Sequence, residues 1–343
     1  MKTLDKLAVP IIQGGMGVGI SMGGLAGAVA ACGGMGVIST VNIGFREADF
    51  WENPEEANRR ALKAEIEKAQ ALSGGRGLLA VNAMVATTGF ADLVKTACKC
   101  GIDAVISGAG LPLSLPELTR GFDVLIAPIV SGGRAAKTIL AMWKKRHDRK
   151  ADFIVVEGSR AGGHLGFTKE EAEGTAKPLP ELISEVAREA GGIPIFAAGS
   201  VFDGDDMKAV KAAGAFGVQM ATAFIATEEC DASRGFKEVI LAASEEDVMI
   251  LKSPVGMPGR GLRTPLMEKV SEGVKFPPKQ CVGCIHGCDP GKTPYCINRA
   301  LIEGYYGNYE EGLFFCGGNV GKVSEMTSVA ELMGELTAEW SKI

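Results

Sequence analysis

Four cysteines fall within sixteen residues, in the run Cys281-Val-Gly-Cys284-Ile-His-Gly-Cys288-Asp-Pro-Gly-Lys-Thr-Pro-Tyr-Cys296. The spacing is C-x2-C-x3-C-x7-C, with Gly and Pro between the thiols to turn the chain. Four close thiolates suit a [4Fe–4S] cluster, which takes four cysteine ligands. Zinc competes, because sites of four cysteines, or of three and a histidine, close similarly, and His286 stands inside the run. A third reading has the thiols order a loop and bind nothing, since cysteine arithmetic names no metal. Cys32, Cys98, Cys100, Cys230 and Cys316 are scattered and read mostly as small buried hydrophobes.

His164 is one of only three histidines. It follows Glu157-Gly-Ser-Arg-Ala-Gly-Gly163, a carboxylate and then two glycines that let a ligand come close. An imidazole titrates near neutral pH and can give or take a proton. His147 sits instead in Lys-Lys-Arg-His-Asp-Arg, which reads as a solvated helix end. Glycine is the compositional outlier, at 47 of 343 residues, about twice the usual share. The glycines cluster between apolar runs, where backbone must turn sharply or approach a ligand. One cluster, Gly15-Met-Gly17-Val-Gly19, fails as a dinucleotide fingerprint. Its third glycine would fall at Ile20, and no acidic residue follows the next strand to hold a ribose.

The elements that must carry these residues show a regular alternation. Short apolar, β-rich runs recur at 9–12, 37–39, 78–81, 104–107, 124–129, 153–157, 193–197 and 217–220. Amphipathic stretches of helical length lie between them, at 55–72, 91–100, 134–146, 179–190 and 205–213. Unbroken apolar runs mark strands buried on both faces. Strands alternating with helices imply a parallel sheet. Eight such units in about 220 residues match a (β/α)8 TIM barrel, with a doubly wound sheet as the runner-up. After Met220 the pattern changes. The expected division is a barrel over 1–227, a cap subdomain with the cysteine cluster over 228–305, and a tail over 306–343 that returns to the barrel. The cap reads as helix-like pieces. The tail carries an apolar run at 312–318 and a final helix.

In such a barrel the site forms at the C-terminal strand ends. Strand one is followed by Gln13-Gly14-Gly15-Met16, strand three by Asn82 and strand six by Glu157 through His164. Strand seven ends in Ala198-Gly199-Ser200, and strand eight in Gln219-Met220-Ala221-Thr222. Barrels commonly hold phosphate in the last two of these loops. Bare N–H groups at Gly199–Ser200 and a helix N-terminus after Gln219 would cradle an anion, although the glycines could equally serve only tight turns.

Composition narrows the partners. Lys+Arg 36 against Asp+Glu 41 gives a net charge of −5, so no basic excess exists to neutralise a nucleic acid. No charged residue occurs from Leu7 to Phe45, yet Pro10, Gln13 and eight glycines from Gly14 to Gly33 break that stretch. It reads as strand, turn, helix and strand, not as a signal peptide or membrane span. The expectation is a cytoplasmic protein acting on a small molecule, with a homodimer as the candidate assembly.

Five stretches together resemble the nitronate monooxygenase family, also called 2-nitropropane dioxygenase-like, which includes enoyl-acyl-carrier-protein reductase II. They are Pro10-Ile-Ile-Gln-Gly-Gly-Met-Gly17, Gly33-Gly-Met-Gly36, Glu157 with Ala161-Gly-Gly-His-Leu-Gly166, Pro194-Ile-Phe-Ala-Ala-Gly199, and Gly214-Ala-Phe-Gly-Val-Gln-Met-Ala-Thr-Ala-Phe224. The resemblance runs in order over about residues 7–265. It implies a (β/α)8 barrel holding non-covalent FMN. Gly14, Gly15 and Met16 would lie along the flavin ring, with Gly163 also beside the cofactor. Asn82 and Glu157 would bond flavin or ribityl groups. Gly199, Ser200, Gln219, Met220 and Thr222 would hold the phosphate end. His164 would be the catalytic residue, a base toward nitroalkanes. The implied reaction is oxidation of alkyl nitronates or nitroalkanes with O2; the rival is NAD(P)H-driven enoyl reduction. A reading of another class is a sugar-phosphate isomerase or lyase on the same barrel. The family often has Pro at the position of Gly15 and Gly at that of Ser200. Its simplest members lack the cysteine-rich segment.

Overall fold

A computed structural model describes residues 1–199 and 201–343. Eight parallel strands close into a barrel: β1 (Ile11–Gln13), β2 (Met35–Ser39), β3 (Leu78–Met84), β4 (Ala104–Gly108), β5 (Leu125–Val130), β6 (Ile154–Glu157), β8 (Ile195–Ala198) and β9 (Gly217–Met220), the last pairing back to β1. The expected TIM barrel is therefore the observed one. All eight apolar runs became its strands, each shifted by at most a few residues at its ends.

The lack of alternation in those runs has a plain cause. Ile12, Val37, Ala80, Ile106, Ala127, Val155 and Phe196 fill the inside of the barrel. Their neighbours Ile11, Ile38, Val81, Val105, Ile126, Val156 and Ala197 face the surrounding helices. Successive side chains point to opposite faces, and here both faces are dry. The enclosing helices are α1 (Gly23–Ala31), α2 (Pro54–Ser73), α3 (Phe90–Lys99), the single turn α4 (Leu115–Leu118), α5 (Gly133–His147), α6 (Leu179–Ala190) and α7 (Gly204–Ala212). Of these, α1 has no polar side chain, and six of its nine residues are buried. It lies flush on β2, because a side chain at Gly36 would stand 1.9 Å from the Ala26 carbonyl oxygen.

Beyond β9 the chain forms α8 (Thr222–Ile225), α9 (Arg234–Ala242), an antiparallel hairpin of β10 (Val248–Lys252) and β11 (Pro258–Leu262), then α10 (Pro265–Ser271), α11 (Ile297–Tyr305) and α12 (Val329–Ser341). The hairpin corrects the reading of this region as helical pieces. Its second strand, β11, also pairs with a two-residue strand, β7 (Gly163–His164), from the loop after β6, and so lies at the centre of a three-stranded sheet. The apolar run at 312–318 is not a strand, and only Phe315 bridges to Gly261 of β11. α12 packs on α1 and α7, with Val329, Met333 and Leu336 buried. Among the described residues, no helix is long and apolar enough to cross a membrane.

Candidate functional site

A cavity of about 230 Å³ opens at the C-terminal ends of the barrel strands. Gly14, Gly15 and Met16 reach it from the end of β1, Asn82 from β3 and Glu157 from β6. Gly163 and His164 enter on β7, Gly199 follows β8, and Gln219, Met220 and Thr222 come from β9 and the turn after it. The structure thus brings these residues to one wall system. Ser200 lies outside the described residues. The far side comes from segments after β9: Val255 between the hairpin strands, Asn298 on α11, and Phe315.

The glycines have separate reasons. A Cβ on Gly15 would sit 2.4 Å from the Asn82 Cβ, so its absence lets the Asn82 side chain lie on the β1 loop. Gly163 has φ +80° and nothing within 4 Å of where a Cβ would be, which leaves open space beside His164. Gly199 has φ +75°, and a Cβ there would meet that of Ala161 at 2.7 Å. The left-handed region excludes most side chains on steric grounds.

His164 is fixed from three directions. Its Nε2 lies 2.7 Å from the Ser253 Oγ. Phe315 presents a ring at 5.2 Å, close to edge-on. Its backbone is in register with Gly259 of β11. Ser253 sits in the segment joining the two hairpin strands, and its Oγ also accepts from the Val255 N–H at 3.2 Å. Sequence reasoning gave Ser253 no place beside His164. The two residues are 89 positions apart, and only the unforeseen hairpin joins them.

Burial controls both titratable groups of the cavity. Removal from water pushes the His164 pKa down to about 4 and the Glu157 carboxyl up to about 8. Each keeps some surface toward the cavity and is enclosed by protein elsewhere. Desolvation disfavours the charged form in each case, so near pH 7 the imidazole is neutral and the carboxyl mostly protonated. The Gln219 Oε1 is buried with no hydrogen-bond partner.

The anion cradle differs from the one expected. The helix after Gln219 is the four-residue α8, too short to present a macrodipole of any size. Thr222 Oγ1 is also engaged, accepting from the Gly317 N–H at 3.0 Å. The N-terminus of α7 is closed by its own capping box, Asp203 with Asp206. What remains for a phosphate is loop backbone beside Gly199 and after Gln219.

Cys281, Cys284, Cys288 and Cys296 are all free thiols. They line a second, small cavity of about 30 Å³. Among the described residues, no three His, Cys, Asp or Glu side chains are disposed to hold a metal ion. His286 is exposed and lies off that cavity. His286 therefore does not join the four thiols, which corrects the three-cysteine, one-histidine form of the zinc site. Of the scattered cysteines, Cys98, Cys230 and Cys316 are buried, whereas Cys32 and Cys100 are half-buried.

Comparison with known proteins matches residues 1–339 to the nitronate monooxygenase family. A protein of Staphylococcus saprophyticus named as a probable nitronate monooxygenase is 29% identical over 191 residues, 53% of this chain and 50% of that one. A hydroxy-methyl-oxo-octahydroindene carboxyl-CoA dehydrogenase of Mycobacterium tuberculosis is 28% identical over 264 residues, 77% of this chain and 66% of that one. The match thus spans about half to two thirds of the length of these relatives. The structure of FabK from Thermotoga maritima superposes with a TM-score of 0.76 at 26% identity, covering 98% of this chain and 95% of that one.

Proposed function

The chain belongs to the nitronate monooxygenase family, and from that premise we propose that it is an FMN-dependent oxidoreductase acting on small alkyl nitronates or their parent nitroalkanes, with O2 as the oxidant. Membership makes it an oxidoreductase and sets aside the sugar-phosphate isomerase or lyase. The choice of substrate rests on one observation, the enclosure of His164 in the cavity by β7, Ser253 and Phe315, and that burial favours its neutral form. A neutral imidazole is ready to accept the proton on the carbon next to a nitro group. An enoyl reductase needs a proton donor at that point, and burial works against a charged donor there.

The residues present fit a flavin. The unpartnered Gln219 Oε1 asks for a donor, which a buried polar atom requires. The open space at Gly163 and the bare loop of Gly14 and Gly15 accept a flat ring. Asn82 and the protonated Glu157 can bond its polar edge or the ribityl chain, and backbone near Gly199 and from Gln219 to Thr222 would meet the phosphate. Bound FMN would supply the electron acceptor. The rest falls to the protein. In the tautomer whose Nε2–H donates to the Ser253 Oγ, the lone pair of His164 lies on Nδ1, and that atom takes the substrate proton. Phe315 and the hairpin keep bulk water off the ring, which strengthens each polar contact inside.

Two assays test the reading: O2 uptake with an alkyl nitronate or nitroalkane, and NAD(P)H oxidation with a crotonyl thioester. Turnover of the nitro compounds is expected. Turnover only of the thioester, with NAD(P)H as reductant, overturns the proposal.

A further inference from the structure

The cysteine loop has no part in the chemistry above, yet it is held in place with care. Residues 277–296 contain no helix or strand, and the loop is stitched to the turn after β3. The Thr88 Oγ1 donates to the Gly283 carbonyl at 2.8 Å. The Thr88 N–H donates to the Cys284 carbonyl, and the His286 N–H to the Ala86 carbonyl at 3.0 Å. Cys296 is the N-cap residue of α11. Gly283 and Gly287, at φ +61° and +73°, make the reversals between the first three thiols.

These constraints turn all four cysteines onto one cavity, whose remaining wall is mainly Pro278, Val282, Ile285 and Ile297. A thiol used as core filler is buried alone, as Cys98 and Cys230 are. Here Cys281 is exposed and the other three are half-buried around a common space. Packing does not account for that gathering. A single ion does not either. It needs its donors to converge about 2.3 Å from one point, and no three donors do so. Four thiols that line one cavity are the ligand set of a four-iron cluster, one cysteine to each iron. The Gly283 N–H donates to the Cys281 Sγ at 3.3 Å, the kind of bond that tunes a cluster's sulfur ligands.

We propose that Cys281, Cys284, Cys288 and Cys296 bind one [4Fe–4S] cluster. Two ferrous ions, two ferric ions and four sulfides make the core. Each cysteine thiol releases one proton to solvent as its sulfur bonds an iron, so the charges balance without an external oxidant. Cys284, Ile285 and Ile297 line both cavities, so the cluster shares a wall with the large one. The assignment does not rest on the substrate or the flavin.

The full chain is purified without oxygen, then incubated with ferrous and ferric iron, sulfide and a thiol, and desalted. Iron, acid-labile sulfide, zinc and flavin are measured per chain, and electron paramagnetic resonance is recorded after dithionite reduction. The expected result is about four irons and four sulfides per chain with a cluster signal. Cys281→Ser and Cys288→Ser should each lose most of that iron while flavin content and circular dichroism stay at the parent level. Three results overturn the proposal: zinc without sulfide, little iron or sulfide after reconstitution, or unchanged iron in both variants. A failure of the nitronate assay touches none of these readings.

Discussion

His164 and Glu157 stand in the same cavity, and the same physical cause moves their pKa values in opposite directions. Desolvation lowers the first to about 4 and raises the second to about 8. The imidazole is therefore a free acceptor above about pH 4, and the carboxyl a donor below about pH 8. The expected kcat/KM profile for a neutral nitroalkane rises through the lower value, stays flat across pH 6–7 and falls above the higher one. An inflection near the ordinary histidine value of about 6.5 would show a solvated ring and refute the burial argument. His164→Ala should cost roughly 10²–10⁴-fold on the neutral nitroalkane if the ring is a general base. The nitronate, already deprotonated, should lose far less; equal losses would make His164 a substrate-positioning group. Ser253→Ala frees Nε2 and should move the lower limb of the profile while KM for the nitronate is kept, and an unmoved limb would reduce Ser253 to packing. His164 was legible because a lone histidine followed a strand-end Glu-to-Gly-Gly run. Ser253 was not, since its tie to His164 depends on a contact 89 residues away.

Elements were most legible where burial is uniform. Strands with two dry faces give unbroken apolar runs, and the long barrel helices give clear amphipathic periods. The hairpin β10–β11 was missed because its edge strand β10 is only half-buried along most of its length and its central strand β11 reads Pro-Gly-Arg-Gly-Leu. β10 has an apolar run, Val-Met-Ile-Leu, but β11 gives no strand signal for it to pair with, and the third strand, β7, is two residues long. The same scale explains the reach of the anion cradle. Without a long helix dipole, the loop after β8 depends on backbone conformation, and Gly199 at φ +75° sets it. A side chain in that region costs about 1–2 kcal/mol. Gly199→Ala should therefore lower the melting temperature and weaken FMN binding by about tenfold, the equivalent of 1.4 kcal/mol. Gly214→Ala is the control. It shares the strain, at φ +101°, but has open space around it and lies off the cavity, so stability alone should fall. Equal FMN affinities in both variants would remove Gly199 from the binding site.

At the scale of the whole chain, the barrel is legible because it is an eightfold count, and the cavity is legible only in half. One side comes from strand ends that occur in order along the first 222 residues. The other side comes from Val255, Asn298, Phe315 and Asn319, which no local pattern marks. The cavity is thus walled by segments from residue 14 to residue 319, so a ligand that fills it bridges the barrel strand ends and the chain that follows β9. A ligand that binds only the folded state stabilises it by about 2.7 kcal/mol at 100 times its Kd. A protein of 150–250 residues gains roughly 2–4 °C per kcal/mol, and a longer chain less. FMN added to the flavin-stripped protein should therefore raise the melting temperature by roughly 4–8 °C under those conditions. Riboflavin has the ring and ribityl chain without the phosphate, so it should raise it less at the same concentration. The difference isolates the loop backbone near Gly199 and Gln219, since among the described residues no Lys or Arg lines the cavity. Equal shifts would mean that the ring alone is held and the anion cradle is wrong. No shift from either ligand at saturating concentration would mean that the cavity does not hold a flavin.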